Sequence, residues 1–150
     1  AADAFISSTF WTEKVGTVAS LATLKKHRDL NVGNHLINVG KNVRKIWKES
    51  AEKNGLKINI GGGMEPISNF TIEYKNPQAL KTFFIERMLE HGFLANTLFY
   101  SMYSHTDEQL RLYSEAVDKT FSDIAFCINK NSIEDNLIGK IAISSFKRLA

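Results

Sequence analysis

The period of the apolar residues changes in the middle of the chain, and that change limits what the chain can fold into. Up to Asn54 apolar residues recur at helical spacing. Between Gly55 and Pro77 the stretches KINI (57–60) and NFTIEY (69–74) alternate or cluster strand-forming residues, and beyond Pro77 the helical spacing returns. A short hairpin is only marginally stable alone and needs helices over one face. The pattern therefore predicts an α+β fold: long N-terminal helices followed by a small, mainly antiparallel sheet covered by helices.

The elements follow from local chemistry. A first helix is expected from Thr12, whose hydroxyl can cap free amides, with Glu13 in its first turn, to about Arg28. Val15, Val18, Leu21 and Leu24 give it one broad apolar face, and Lys25, Lys26 and Arg28 suit its C-terminal dipole. Asn31 to Asn34, with Gly33, breaks the pattern, and a second helix runs from about His35 to Asn54, stopped by Gly55. GGGMEP (61–66) connects the two strands. Pro77 opens a third helix bearing Leu80, Phe83, Phe84 and Met88, which Gly92 closes. FLAN (93–96) reads as a short third extended piece, and Thr106 with Gln109 forms a capping box for a last helix over 107–129. The first helix does not belong to the sheet. The expected division is residues 1–33, a domain over 34–130, and a tail over 131–150.

Composition removes several function classes. With 150 residues, 43% of them hydrophobic, the chain can bury a core and is not expected to be disordered. No apolar run approaches the roughly 18–20 residues that cross a bilayer, and the N-terminal stretch lacks the basic start and apolar block of a signal peptide. The lone Cys127 fits a reducing, cytoplasmic compartment and a buried structural thiol. The four histidines show neither HExxH spacing nor cysteine pairs, so no metal site is expected. Gly61 to Gly63 lack the Gly-Lys-Ser/Thr and the helix that a phosphate loop requires, and His105 belongs to the start of the last helix. Phe70 and Tyr74 do not share a face with bases, which argues against single-stranded nucleic acid.

Charge is unevenly spread. Residues 25–57 carry nine Lys or Arg against Asp29, Glu49 and Glu52, and the bases interleave with Val39, Val43 and Trp47 at helical spacing. The default reading is a solvated helix face. The alternative is a non-enzymatic α+β binding module that uses the basic helix 41–48 for an acidic partner.

Ser7, Ser8, Thr9 and Thr12 set hydroxyls just ahead of a helix N-terminus, where unpaired amides and the helix dipole favour an anion. Around them, FISSTFWTEKVG (5–16) and ASLATL (19–24) resemble the stretch of class III pyridoxal-phosphate (PLP) aminotransferases in which a Thr precedes a helix with an Ala-Thr-Leu pattern. The linking helix, the Gly-bounded strands, the Phe-rich helix, HGFL (91–94) and HTDE (105–108) follow in the order of the C-terminal portion of glutamate-1-semialdehyde aminomutase-like members, over roughly residues 4–128.

The resemblance implies the C-terminal small domain of a fold-type I enzyme, cytoplasmic and homodimeric. It implies that Thr9, with Ser8 as a weaker candidate, binds the phosphate of PLP across the dimer interface. Residues 1–33 would be the trailing edge of the PLP-binding large domain, and 34–130 the small domain with its linking helix. The substrates implied are small amino donors and acceptors: an amino acid, an amino ketone or a related aldehyde, by transamination or a 1,2-amino shift. Tyr100 and Tyr103 lie where family members approach substrate. The family's Schiff-base lysine precedes the Thr motif, whereas here only eight residues precede Thr9 and none is Lys; Lys140 lacks the Gly-rich turn. The chain is therefore expected to be a C-terminal fragment that contains no catalytic lysine and is inactive alone.

Overall fold

The computed structural model describes residues 13–143. The order is α1 (Lys14–Asp29), α2 (Val32–Lys53), β1 (Ile58–Ile60), β2 (Ile67–Ile72), α3 (Pro77–Glu90), β3 (Leu98–Tyr100) and α4 (Asp107–Asn129), with a single 3-10 turn at Glu134–Asn136. The fold is α+β. Two compact units divide the chain, one ending at Asn34 and the other starting at His35.

In the first unit, α1 buries none of its residues. The broad apolar face read from the sequence is open, with Val15, Leu21 and Leu24 76%, 62% and 67% exposed. Its N-cap is Glu13, one residue ahead of the first turn, and the Glu13 side chain makes no capping hydrogen bond; Thr12, the expected cap, lies outside the described residues. The break after α1 is shorter than Asn31–Asn34. Asn31 alone takes a left-handed conformation (φ 50°), which Asn tolerates better than most residues, and its amide closes the turn on the Arg28 carbonyl. Gly33 and Asn34 therefore belong to α2, which starts three residues earlier than its apolar pattern indicates.

The second unit holds the core. The strands pair in the order β1-β2-β3, all antiparallel. Along β2 the side chains alternate, with Ser68, Phe70 and Ile72 inward and Ile67, Asn69 and Thr71 outward. Phe70 is the hub: its ring centroid lies 4.7 Å from Trp47 on α2, 5.1 Å from Phe84 on α3 and 5.6 Å from Phe121 on α4. These spacings are those of favourable tilted and edge-on aromatic pairs, so three helices meet on one sheet residue. Cys127 is buried, as a structural thiol would be.

Glycine at position 40 is what lets α2 approach the β1–β2 connection. A Cβ there would meet the Glu65 carbonyl oxygen at 1.9 Å. On the same side Arg44 reaches across, donating to Ser68 Oγ (2.8 Å) and to the carbonyls of Gly63 (3.2 Å) and Met64 (3.1 Å). Ser68, fully buried, donates in turn to the Glu65 carbonyl at 2.8 Å. The glycine-rich connection is thereby pinned to α2, and β2 begins at Ile67, where its amide closes a turn on Met64.

Two segments differ from the sequence pattern. The third strand is Leu98–Tyr100, not FLAN: after Gly92 (φ 85°) the Phe93 amide turns back onto the Met88 carbonyl, and Ala95 onto Phe93, so residues 93–96 curl instead of extending. Residues 131–143, within the stretch read as a tail, fold back on α3. Ile133 is fully buried in the core, Tyr74 donates to Glu134 at 2.8 Å, and Glu86 accepts from the amides of Ile138 and Gly139, both at 2.9 Å. This explains why α3 is apolar on more than one side: the core takes Phe84 and Met88, and the returning chain covers the other flank, where Arg87 caps the Asn136 carbonyl at 3.0 Å.

Candidate functional site

Thr9 and Ser8, the residues assigned to the cofactor phosphate, lie outside the described residues, as do Ser7 and Thr12. Lys140 follows the pair of amides fastened to Glu86 and lies in a chain segment packed on α3. Among the described residues, no group of three or more His, Cys, Asp or Glu is placed to hold a metal. No described helix is long and apolar enough to cross a membrane.

The basic helix is largely committed to its own fold. Arg44 serves the β1–β2 connection, while Lys45 and Lys48 each face a glutamate one turn on, Glu49 at 3.7 Å and Glu52 at 3.9 Å. Those exposed pairs contribute little to stability but moderate the positive face.

A cleft of about 430 Å³ lies between the 93–102 segment and the first turns of α4. Phe93, Phe99, Leu110 and Tyr113 form its apolar floor, and Leu98, Tyr100 and Met102 stand at its edge. Phe93 and Phe99 both pack on Tyr113, with centroids 5.6 Å and 5.7 Å away. The Tyr113 hydroxyl accepts a hydrogen bond from the Trp47 indole at 2.9 Å, and burial pushes its pKa well above the ordinary phenol value. Tyr113 is thus an anchored neutral wall rather than an acid or base.

Besides the hydroxyls of Tyr100 and Tyr113, the polar side chains of the cleft are those of Asn96, His105 and Gln109. The sequence places Gln109 in a capping box with Thr106, and both bonds of that box are present. His105 belongs to the loop before α4: its Nδ1 accepts from the Met102 amide and its own amide returns to the Met102 carbonyl, both at 3.1 Å. The neutral ring therefore carries its proton on Nε2. Burial, and secondarily the neighbouring His35, hold the His105 pKa below the usual histidine value. Tyr103 faces His35 with ring centroids 5.0 Å apart, outside the cleft lining, whereas Tyr100 stands at its edge. Phe93, Phe99 and Asn96 carry no local motif, and only the return of the chain onto α4 makes them neighbours.

No protein-family model matches the chain, and no curated protein sequence does. Among solved structures, the FumI protein of Sphingopyxis sp. MTA144, in its PLP internal aldimine form, aligns with a TM-score of 0.71 and 21% identity, over 85% of this chain and 31% of that one. The chain spans less than a third of the length of that structure. By this likeness, the helices and three-stranded sheet described above share their fold with part of a PLP-bound protein.

Proposed function

We propose that the chain is part of a PLP-dependent aminotransferase or aminomutase, class III and glutamate-1-semialdehyde aminomutase-like, in which Thr9 with Ser8 binds the cofactor phosphate across the interface of a cytoplasmic homodimer. The observation that carries the reading is the fold likeness, over 85% of the chain, to a protein solved with PLP. It agrees with the ordered run of motifs from Phe5 to Glu108.

Two features of the chain fit that role. Among the described residues no side chain caps the first-turn amides of α1, and N–H groups with the positive end of a helix dipole favour a phosphate. The open apolar face of α1 offers a surface for the remainder of a dimer to cover. The cofactor, when bound, supplies an electron sink for chemistry at the amino-bearing carbon. This chain's own residues bind and orient its phosphate, and no lysine among them takes the Schiff-base role. The substrates are small amino donors and acceptors, and the reaction is a transamination or a 1,2-amino shift.

Replacing Thr9 in the full-length homodimer tests the assignment. Thr9→Val should weaken PLP retention by about 1–3 kcal/mol, the cost of losing a hydrogen bond to a charged group, while Thr9→Ser retains it. Equal PLP affinity in all three proteins, read by equilibrium titration of cofactor absorbance, removes Thr9 from the phosphate site.

A further inference from the structure

The amide and imidazole side chains lining the 430 Å³ cleft have one property in common: the acceptor atom of each is engaged. Asn96 Oδ1 accepts from the Thr97 amide at 2.7 Å, His105 Nδ1 from the Met102 amide at 3.1 Å and Gln109 Oε1 from the Thr106 amide at 2.9 Å. Each bond is to backbone, so each fixes the side chain and leaves its N–H group as a donor. Asn96 Nδ2, His105 Nε2 and Gln109 Nε2 have no hydrogen-bond partner among the described residues. No Lys, Arg, Asp or Glu lines the cleft among those residues. Three donors on an apolar concavity call for an acceptor on an apolar body, and the absence of a lining cation selects against a carboxylate, whose desolvation would go uncompensated. A cleft of this volume lies within the roughly 300–1,000 Å³ range of small-molecule sites.

We propose that the cleft between β3 and the start of α4 binds an uncharged, mainly apolar small molecule bearing a carbonyl oxygen, such as a ketone or amide. The oxygen is received by the N–H donors of Asn96, His105 and Gln109, and the apolar body rests on Leu98, Phe99 and Met102. The site draws on none of the residues assigned to the phosphate, so the test below stands whether or not Thr9 binds the cofactor.

The test is a titration of the isotope-labelled 150-residue chain with 2-heptanone, heptanoate and heptylammonium, followed by amide resonances. Saturable shifts at the side-chain amides of Asn96 and Gln109 are expected with 2-heptanone, at an affinity at least about tenfold above either charged probe. Asn96→Asp and Gln109→Glu keep the oxygen that accepts from backbone and replace the N–H donor by a negatively charged acceptor oxygen. Each should weaken the ketone about three- to tenfold, the equivalent of one hydrogen bond, with the thermal midpoint unchanged. No saturable binding of the ketone, binding of heptanoate as tight as the ketone, or full affinity in the double variant overturns the proposal.

Discussion

The indole N–H of Trp47 donates to the hydroxyl of Tyr113 across 2.9 Å, joining α2 to α4 at a point where both side chains are buried. The bond satisfies the one polar atom of a fully enclosed indole, and it fixes the ring that Phe93 and Phe99 pack against. The wall of the cleft is therefore set by a contact between residues 66 positions apart in sequence.

Removing the hydroxyl tests how much that contact contributes. Tyr113→Phe leaves the Trp47 N–H buried without a partner, at a cost of about 1–3 kcal/mol. Urea denaturation followed by Trp fluorescence should show the midpoint fall with an unchanged slope; an unaltered midpoint would mean that water reaches the indole.

Gly40 provides a contrast between propensity and packing. Alanine in a helix interior normally stabilises by up to about 1 kcal/mol over glycine. Here the added Cβ meets backbone at 1.9 Å, so Gly40→Ala should instead destabilise by about 1–3 kcal/mol as α2 is pushed off the Glu65–Pro66 segment. Gly16→Ala, with nothing within 4 Å of the new Cβ, is the control and should be neutral or mildly stabilising in the same denaturation assay.

The returning segment should behave as part of the core. Ile133→Ala removes a fully buried side chain and should cost about 2–5 kcal/mol. Tyr74→Phe removes the bond to Glu134; burial and that carboxylate push the Tyr74 pKa up to about 12. Between the ordinary phenol value near 10 and about 12 the folded state holds the proton that the unfolded state releases. Stability from this pair is therefore present below pH 10 and lost as pH rises through that window. Thermal melts at alkaline pH should show the loss in the native chain and a smaller one in Tyr74→Phe.

His105 acts at the other end of the pH scale. Its folded pKa is lowered, first by burial and then by His35, so below the ordinary histidine value near 6.5 the unfolded chain takes up a proton that the folded chain refuses. Stability should fall as pH drops through 6.5, and the fall should be shallower in His105→Gln. Parallel slopes for the two proteins between pH 7 and 5 would show that other groups account for the acid sensitivity.

Local chemistry made much of this fold legible. The starts and stops at Gly55, Pro77, Gly92 and the Thr106–Gln109 capping box act within one turn of chain, so their neighbours in sequence suffice to set them. The 3.6-residue period placed Val43 and Trp47 on α2 and Phe121 on α4, and period 2 placed Phe70 on β2, all of them inward. The extended reading of FLAN failed because the turn after Gly92 carries two further backbone bonds that no composition signal records.

What tertiary structure alone decided are relations between residues far apart. The same helical spacing that reads as a solvated basic face also contains Arg44, which the fold turns onto Gly63, Met64 and Ser68 because the buried Ser68 and the exposed carbonyls of the connection need a donor there. A stretch with no periodicity, 131–143, became structural because the core received Ile133 and Glu86 offered two acceptor oxygens to the amides of Ile138 and Gly139. The three donors of the cleft arose the same way, from backbone amides that each took one side chain's acceptor. Sequence by itself determined the α+β class and the starts and stops of α3 and α4, since capping and periodicity are local, whereas the start of α2 at Val32 escaped it. The site required the assembled chain, because the groups that line it come together only when β3 and α4 are packed on Phe99 and Tyr113.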